Sequence, residues 1–180
     1  MQPKRADISE EKKRLIEGNH RFIQTHGHDL ARHVSGQKPY AVILTCSDSR
    51  VPPEHIFNAG VGELFVVRDA GNIAFGSSVI GSLEYAVSHL HVPLLLILGH
   101  TNCGAMKASE TGPGDGTCIG DIVNEIRCCF GGDDHLRDNV RRQEKMILQR
   151  SPAIAQAVES GALEIQGAIY HLEDGTVEFL

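Results

Sequence analysis

Three short apolar runs constrain the fold of this chain more than any other feature. They occupy residues 40–45, 63–68 and 92–98, and each has the length of a β-strand. Their apolar residues are continuous, without the alternation of polar and apolar residues that marks a strand with one face in water. A continuous run of this length is typical of a strand buried on both faces, as in a parallel sheet.

Segments with helical periodicity separate and follow these runs. Residues 77–90 form one such segment, between the second and third runs. Further helices are predicted over 119–130, 135–150 and 152–160, and a last strand over 163–171 leads through Glu173-Asp174-Gly175 to a final strand at 177–180. The alternation predicts the α/β class, with a single mainly parallel β-sheet flanked by helices and closed by a C-terminal hairpin.

The N-terminal segment differs from the rest. Residues 9–25 predict an amphipathic helix with an apolar stripe that includes Leu15, Ile16, Phe22 and Ile23, and a polar stretch at 26–38 follows it. We therefore expect one domain over 1–180 in which residues 1–36 form a helical arm. The stripe must be covered by another surface, and a partner subunit can supply it.

Composition excludes several classes of function. The formal net charge is −6 and basic residues do not form a long run, which argues against a nucleic-acid surface. No stretch approaches the roughly 20 apolar residues of a membrane span, and the N-terminus lacks the apolar run of a secretory signal. We expect a cytoplasmic protein. The five cysteines are an odd number and suit thiols or metal ligands better than disulfides.

The first chemical motif is Cys46-Ser47-Asp48-Ser49-Arg50, directly after the first apolar run. In an extended backbone the thiol, the carboxylate and the guanidinium share one face. Open α/β sheets build their sites at the carboxyl ends of strands. Taken alone, the motif fits either such a site or an Asp–Arg ion pair beside an incidental cysteine.

The second motif follows the third apolar run, where His100 and Cys103 are spaced as His-x-x-Cys. Such a pair is weak evidence alone, but parallel strands would bring it to the same sheet edge as Cys46. Two thiolates and an imidazole suit zinc, and three protein ligands leave the open fourth position of a catalytic zinc site. Asp48 could occupy that position, unless Arg50 pairs with its carboxylate and draws it away.

These residues carry a resemblance to a known family. The segments 46–54, 65–68, 70–72 and 99–104 closely resemble the motifs of the β-class carbonic anhydrases, and the resemblance extends over essentially the whole chain. It implies a zinc lyase that reversibly hydrates carbon dioxide to bicarbonate and a proton, by attack of zinc hydroxide on carbon dioxide.

The resemblance also implies residue roles. Cys46, His100 and Cys103 match the zinc ligands, and Asp48 with Arg50 matches the catalytic pair. The Asp48 carboxylate can instead become a fourth ligand in an inactive form. The residues that match the substrate pocket are Gln37, Phe65, Ala70, Tyr85 and Gly104. The family's pocket lies at a dimer interface, which implies a homodimer or a dimer of dimers.

Other functions fit parts of the same pattern. Carbonyl sulfide and carbon disulfide are also small linear molecules, so a hydrolase for them on the same scaffold is an alternative. A noncatalytic zinc-binding homologue would have four permanent protein ligands and would not need Arg50 beside Asp48. A cysteine-nucleophile enzyme that uses Cys46 or Cys103 with His100 would keep its activity after removal of metal.

Overall fold

The structure is a computed structural model that describes residues 8–112, 114–129, 131–132 and 134–180. The chain divides after Gly36 into two compact units. The first contains helix α1 (Ile8–Leu30) and a 3-10 turn at Ala31–His33. Helix α1 continues beyond the predicted end at residue 25, because no proline interrupts it and polar side chains are sufficient on an exposed helix.

The second unit is built on one five-stranded sheet. Its strands are β1 (Ala41–Thr45), β2 (Leu64–Arg68), β3 (Leu94–His100), β4 (Glu164–Tyr170) and β5 (Val177–Phe179). Their order in the sheet is β2-β1-β3-β4-β5, with β5 antiparallel to β4 and every other pair parallel. The predicted fold class is confirmed, including the C-terminal hairpin.

Six helices in the described part of this unit flank the sheet. They are α2 (Pro53–Ile56), α3 (Ser77–Ser88), α4 (Gly104–Glu110), α5 (Cys118–Arg127), α6 (His135–Arg150) and α7 (Pro152–Glu159). The predicted bounds of α6 are those of the structure, because the Asp134 side chain caps its start and Ser151 caps the helix that follows. The predicted end of α5 at Phe130 lies outside the described residues. None of the helices described in the chain is long and apolar enough to cross a bilayer.

The central strands are buried on both faces, as their continuous apolar runs predict. Val42 and Leu44 of β1 belong to the apolar cluster on one face of the sheet, and Ile43 belongs to the cluster on the other face. Leu95 and Ile97 of β3 extend the first cluster in the same way. The sheet is therefore a rigid layer from which the loops at its carboxyl edge project.

Strand order determines where a site can form. Strand β1 lies between β2 and β3, so the chain moves to one side of β1 first and to the other side later. The strand order reverses at this point, and open α/β sheets bind ligands in the crevice outside the strand ends there. Residues 46–50 and 100–103 lie at the carboxyl ends of β1 and β3, at this reversal.

Two glycines of the sheet face helix α6 and leave no room for a larger side chain. A Cβ atom at Gly99 would lie 2.9 Å from Val140 Cγ2, and one at Gly167 would lie 2.7 Å from Val140 Cγ1. Val140 is fully buried. Since Gly99 is on β3 and Gly167 is on β4, Val140 lies over two adjacent strands and fixes the height of α6 above them.

We expect Gly167→Ala to destabilise the fold by about 1–3 kcal/mol, because the added methyl group overpacks the contact with Val140. The matched control is Gly81→Ala on α3, where an added Cβ meets no atom within 4 Å. That substitution should stabilise the helix by about 0.5–1 kcal/mol. Urea unfolding of both variants measures the difference, and a Gly167→Ala variant as stable as the unmodified chain would contradict this account of the packing.

Candidate metal centre

Three potential metal ligands converge at the carboxyl edge of the sheet. Cys46 follows β1 directly, His100 is the last residue of β3, and Cys103 precedes the first residue of α4. One ligand atom from each lies within 4.8 Å of the others, and the two sulfur atoms are 4.0 Å apart. All three residues are buried, and in the described part of the chain no other group of three His, Cys, Asp or Glu residues converges in this way.

The His100 ring is oriented with one nitrogen toward the two sulfur atoms. Its Nδ1 lies 2.8 Å from the carbonyl oxygen of Thr101, so Nδ1 carries the hydrogen and donates it. Its Nε2 is buried and has no hydrogen-bond partner among the described residues. A buried polar atom left without a partner is costly, and a metal ion would satisfy this one.

The donor set fits zinc. Thiolate sulfur and imidazole nitrogen are the ligands that zinc takes in proteins, and a catalytic site uses three of them and leaves a fourth position open. The orphaned Nε2 of His100 and the paired sulfur atoms of Cys46 and Cys103 supply these three donors within a buried pocket.

The thiols of Cys46 and Cys103 are close enough to form a hydrogen bond, with their sulfur atoms 4.0 Å apart. The Cys103 thiol donates a hydrogen bond to the Cys46 sulfur, and this is the largest cause that lowers the pKa of Cys46 to about 4. The backbone N–H groups of Gly71 and Asp48 also donate to this sulfur, at 3.3 and 3.4 Å. The pKa of Cys103 is raised, first by its bond to Cys46 and then by burial. The site therefore carries a buried negative charge that attracts a cation.

Asp48 lies beside the cluster but is held by Arg50. The backbone N–H and Nε of Arg50 donate to Asp48 Oδ1 at 2.9 and 3.0 Å, and Nη2 donates to Oδ2 at 2.7 Å. These bonds hold the pKa of Asp48 well below its usual range. Asp48 Oδ2 is still 4.0 Å from His100 Nε2. The carboxylate thus stays ionised and faces the cluster without joining the three converging donors.

Arg68 fixes the backbone that carries this carboxylate. Its Nε donates to the carbonyl oxygen of Cys46 at 3.1 Å, and its Nη2 donates to that of Asp48 at 2.6 Å. Arg68 is the last residue of β2 and is in register with Thr45, the residue before Cys46. The sequence motif contains Arg68, but we assigned it no role, because only the strand register places it beside this loop.

Glu173 anchors the loop between the other two donors. Its carboxylate accepts hydrogen bonds from Thr101 Oγ1 at 2.8 Å and from Asn102 Nδ2 at 2.9 Å. Asn102 has a φ of 55°, a left-handed conformation that asparagine tolerates. Its carbonyl oxygen accepts a bond from Arg50 Nη2 at 3.2 Å, so this loop also supports the Asp48–Arg50 pair. Sequence reasoning missed Glu173, since no short-range pattern connects it with the loop.

The residues predicted for the substrate pocket lie on five different segments of the chain. Phe65 and Tyr85 are neighbours, with ring centroids 6.1 Å apart. Ala70 begins the 3-10 turn Ala70–Asn72, Gly104 is the first residue of α4, and Gln37 is exposed ahead of β1.

The cleft that His100 and Cys103 line has different neighbours. Its volume is about 320 Å³, and it is lined by His100, Asn102, Cys103, Met106, Lys107, Glu110, Asp134, His135 and Leu136. None of the five residues predicted for the substrate pocket is among them, Phe65 and Tyr85 included. A single chain therefore does not bring the aromatic pair into this cleft, and the roles of the five pocket residues remain predictions.

Comparison with known proteins identifies the family. The carbonic anhydrase family model matches residues 41–177. Carbonic anhydrase 2 of Mycobacterium tuberculosis is 39% identical over 91% of this chain and 88% of that protein. The chain belongs to the carbonic anhydrase family.

Solved structures place it in the β class. The β-carbonic anhydrase CcaA matches with a TM-score of 0.80 and 30% identity, over 94% of this chain and 98% of that one. The Coccomyxa β-carbonic anhydrase in complex with acetazolamide matches with a TM-score of 0.81 and 27% identity, over 98% and 87%. The predicted family, zinc-lyase class and zinc cofactor are confirmed, and the alternative functions are not favoured.

We expect the metal-free protein to hold one thiolate per chain in this pair at about pH 7, since the lowered pKa of Cys46 lies below that pH and the raised pKa of Cys103 lies above it. Cys46→Ser should remove that charge. Cys129→Ser is the control, because burial raises the pKa of Cys129 to about 12 and this thiol stays protonated. Ultraviolet thiolate absorbance measures the charge, and equal losses in the two variants would contradict the assignment.

Proposed function

We propose that this chain catalyses the reversible hydration of carbon dioxide to bicarbonate and a proton, with Cys46, His100 and Cys103 as zinc ligands and Asp48 and Arg50 as the catalytic pair. The supporting observation is the convergence of two sulfur atoms and one orphaned imidazole nitrogen within 4.8 Å, beside a carboxylate that an arginine holds. Zinc bound there supplies Lewis acidity, which lowers the pKa of water far below its bulk value.

Asp48 orients the attacking water. Because its pKa is held low, the carboxylate is an acceptor of hydrogen bonds and not a donor over the working pH range. Oδ1 is engaged by two Arg50 groups, whereas Oδ2 accepts one Arg50 bond and lies toward His100 Nε2. A water molecule between Oδ2 and the ligand cluster can therefore donate one hydrogen to Oδ2 and direct an oxygen lone pair at the substrate carbon.

Arg50 determines whether Asp48 accepts a hydrogen bond from water or binds the metal. Its planar fork holds both carboxylate oxygens, and its Nη2 is held in turn by the carbonyl oxygen of Asn102. With the fork in place the carboxylate remains available to water. Without it, a carboxylate next to a metal ion would bind the metal and close the fourth position. This arrangement supports a catalytic centre over a noncatalytic zinc site with four permanent protein ligands.

The substrate pocket needs little polarity, since carbon dioxide is small and uncharged. We assign its apolar wall to Phe65, Ala70 and Tyr85, with the Gly104 backbone and the Gln37 amide at its border. The Tyr85 side chain is 47% exposed although its ring packs on Phe65. An exposed aromatic surface suits a pocket that a second chain completes.

The apolar stripe of α1 supports the same arrangement. Leu15 is 75% exposed and Ile23 is 50% exposed, which is unusual for large apolar residues on one helix. We propose a homodimer, or a dimer of dimers, in which the arm over residues 1–36 packs on a partner subunit.

A cytoplasmic location is proposed as well, supported by five cysteines that form no disulfide.

Cys103→Ser should lose zinc, because a serine hydroxyl is a far poorer zinc ligand than a thiolate. Cys118→Ser changes the same atom at an exposed position and is the matched control. We expect about one zinc ion per chain in the control, and a large fraction of that content to be missing from Cys103→Ser. Elemental analysis of the purified proteins measures it, and undiminished zinc in Cys103→Ser would remove this residue from the ligand set.

Arg50→Ala should keep its zinc and lose about 100-fold in the rate of carbon dioxide hydration, since Asp48 is then free to bind the metal and no longer positions water. Arg141→Ala, on the exposed face of α6, removes an equal charge elsewhere and should hydrate carbon dioxide at the normal rate. Stopped-flow hydration assays with parallel zinc analysis compare the two. A fully active Arg50→Ala enzyme would exclude the proposed catalytic pair.

A further inference from the structure

A hydrogen bond to the Cys46 sulfur comes from a backbone turn of unusual conformation. The N–H of Gly71 donates to this sulfur over 3.3 Å, from the 3-10 turn Ala70–Asn72. Gly71 has a φ of 77°, and a Cβ atom there would lie 2.6 Å from Ile126 Cδ1. Only glycine fits this position, so the direction of the N–H depends on how firmly the rest of the turn is held.

Two amide side chains of α6 hold this turn. Asn139 Nδ2 donates to the carbonyl oxygen of Gly71 at 2.9 Å, and the N–H of Ala74 donates to Gln143 Oε1 at 2.9 Å. Gln143 Nε2 donates to Asn139 Oδ1, also at 2.9 Å. Asn139 and Gln143 are both fully buried. A continuous chain of hydrogen bonds therefore connects α6, through the backbone of residues 71–74, with the Cys46 sulfur.

The orientation of each side-chain amide in this series of hydrogen bonds is fixed by its neighbour. The Ala74 N–H can only donate, so Gln143 must present its oxygen there and its nitrogen to Asn139. Asn139 must then present its oxygen to Gln143, which leaves its nitrogen for the Gly71 carbonyl. The Cys129 thiol, 3.4 Å from Asn139 Oδ1, donates to the same oxygen and favours the same orientation. Neither amide can flip without placing two acceptors or two donors face to face.

The position of α6 makes this series of hydrogen bonds rigid. Val140 follows Asn139 directly, is fully buried and packs over Gly99 and Gly167, so a shift of α6 away from the sheet would leave a costly cavity. Because Gly99 immediately precedes His100, the same contact links the helix with the strand that carries a second ligand. The two amide side chains are thus held in place relative to both Cys46 and His100.

We propose that Asn139 and Gln143 are positioning residues for the metal centre, which keep the Gly71 N–H directed at the Cys46 sulfur. This inference rests on the proposed role of Cys46 as a zinc ligand. An N–H group that donates to a thiolate withdraws electron density from it and orients it, so loss of the bond changes both the metal affinity and the electronic character of the sulfur.

The test uses near-isosteric substitutions in the full-length protein. Asn139→Leu removes the bond to Gly71, and Gln143→Met removes the bonds to Ala74 and Asn139 while leaving Asn139 in place. Ser151→Ala is the control for lost stability, because Ser151 is also fully buried and caps α7 at the far end of α6. Each protein is examined by thermal unfolding, by chelator competition for zinc, and by the thiolate-to-metal charge-transfer band after substitution with cobalt.

We expect zinc affinity to fall about tenfold or more in Asn139→Leu and Gln143→Met. Their cobalt charge-transfer bands should move to lower energy, since a thiolate that has lost an N–H donor gives up electron density more easily. Ser151→Ala should unfold at a lower temperature with wild-type zinc affinity and an unchanged band. If Asn139→Leu does not fold, Gln143→Met decides the question.

Two negative results would be distinguishable. Wild-type protein that binds no zinc would refute the proposed metal site and this inference with it. A cobalt band of undiminished intensity in Cys46→Ser would do the same, because Cys103 alone can supply only part of that band. Wild-type protein that binds zinc through Cys46, with variants matching Ser151→Ala in affinity and spectrum, would refute only the positioning role of the two amides.

Discussion

The parallel pairing of β1 with β3 is the constraint on which the centre depends. Thr45 of β1 is in register with Leu98 of β3, and its buried Oγ1 donates to the Leu98 carbonyl oxygen at 2.9 Å. Neighbouring strands lie about 4.8 Å apart, so the residues that follow them leave the sheet at nearly the separation that one metal ion spans. The backbone ladder thereby sets the distance from Cys46 to His100 and Cys103, before any side chain adjusts.

Charge is arranged around this geometry in layers. The innermost layer is a buried thiol pair that readily becomes anionic, and next to it lies a carboxylate that would compete for the same cation. Arg50 holds this carboxylate with three hydrogen bonds, and its guanidinium in turn donates to the carbonyl oxygen of Asn102, whose side chain is bound by the carboxylate of Glu173. Loops from three different strand ends thus cooperate in one electrostatic arrangement.

Sequence reasoning predicted the features that local pattern encodes. Continuous apolar runs predicted β1, β2 and β3, and the helical segment at 135–150 was predicted with the bounds that α6 has in the structure. The grouping of Cys46 with residues beyond β3 required only that their strands be parallel. Contacts between distant segments were missed: Thr101 meets Glu173 across 72 positions, and Gly71 meets Asn139 across 68. Such pairs leave no periodic signal, because either partner alone is an ordinary loop or helix residue.

The separation of the two sulfur donors also bears on the order in which this protein matures. Cys46 and Cys103 are 57 positions apart, and an unfolded chain brings such distant residues together only at an entropic cost. In the proposed metal site, tight binding of the ion therefore requires that the two central strands have already docked. Since the ion binds the native state in preference to the unfolded one, its binding then increases the free energy of unfolding of the protein.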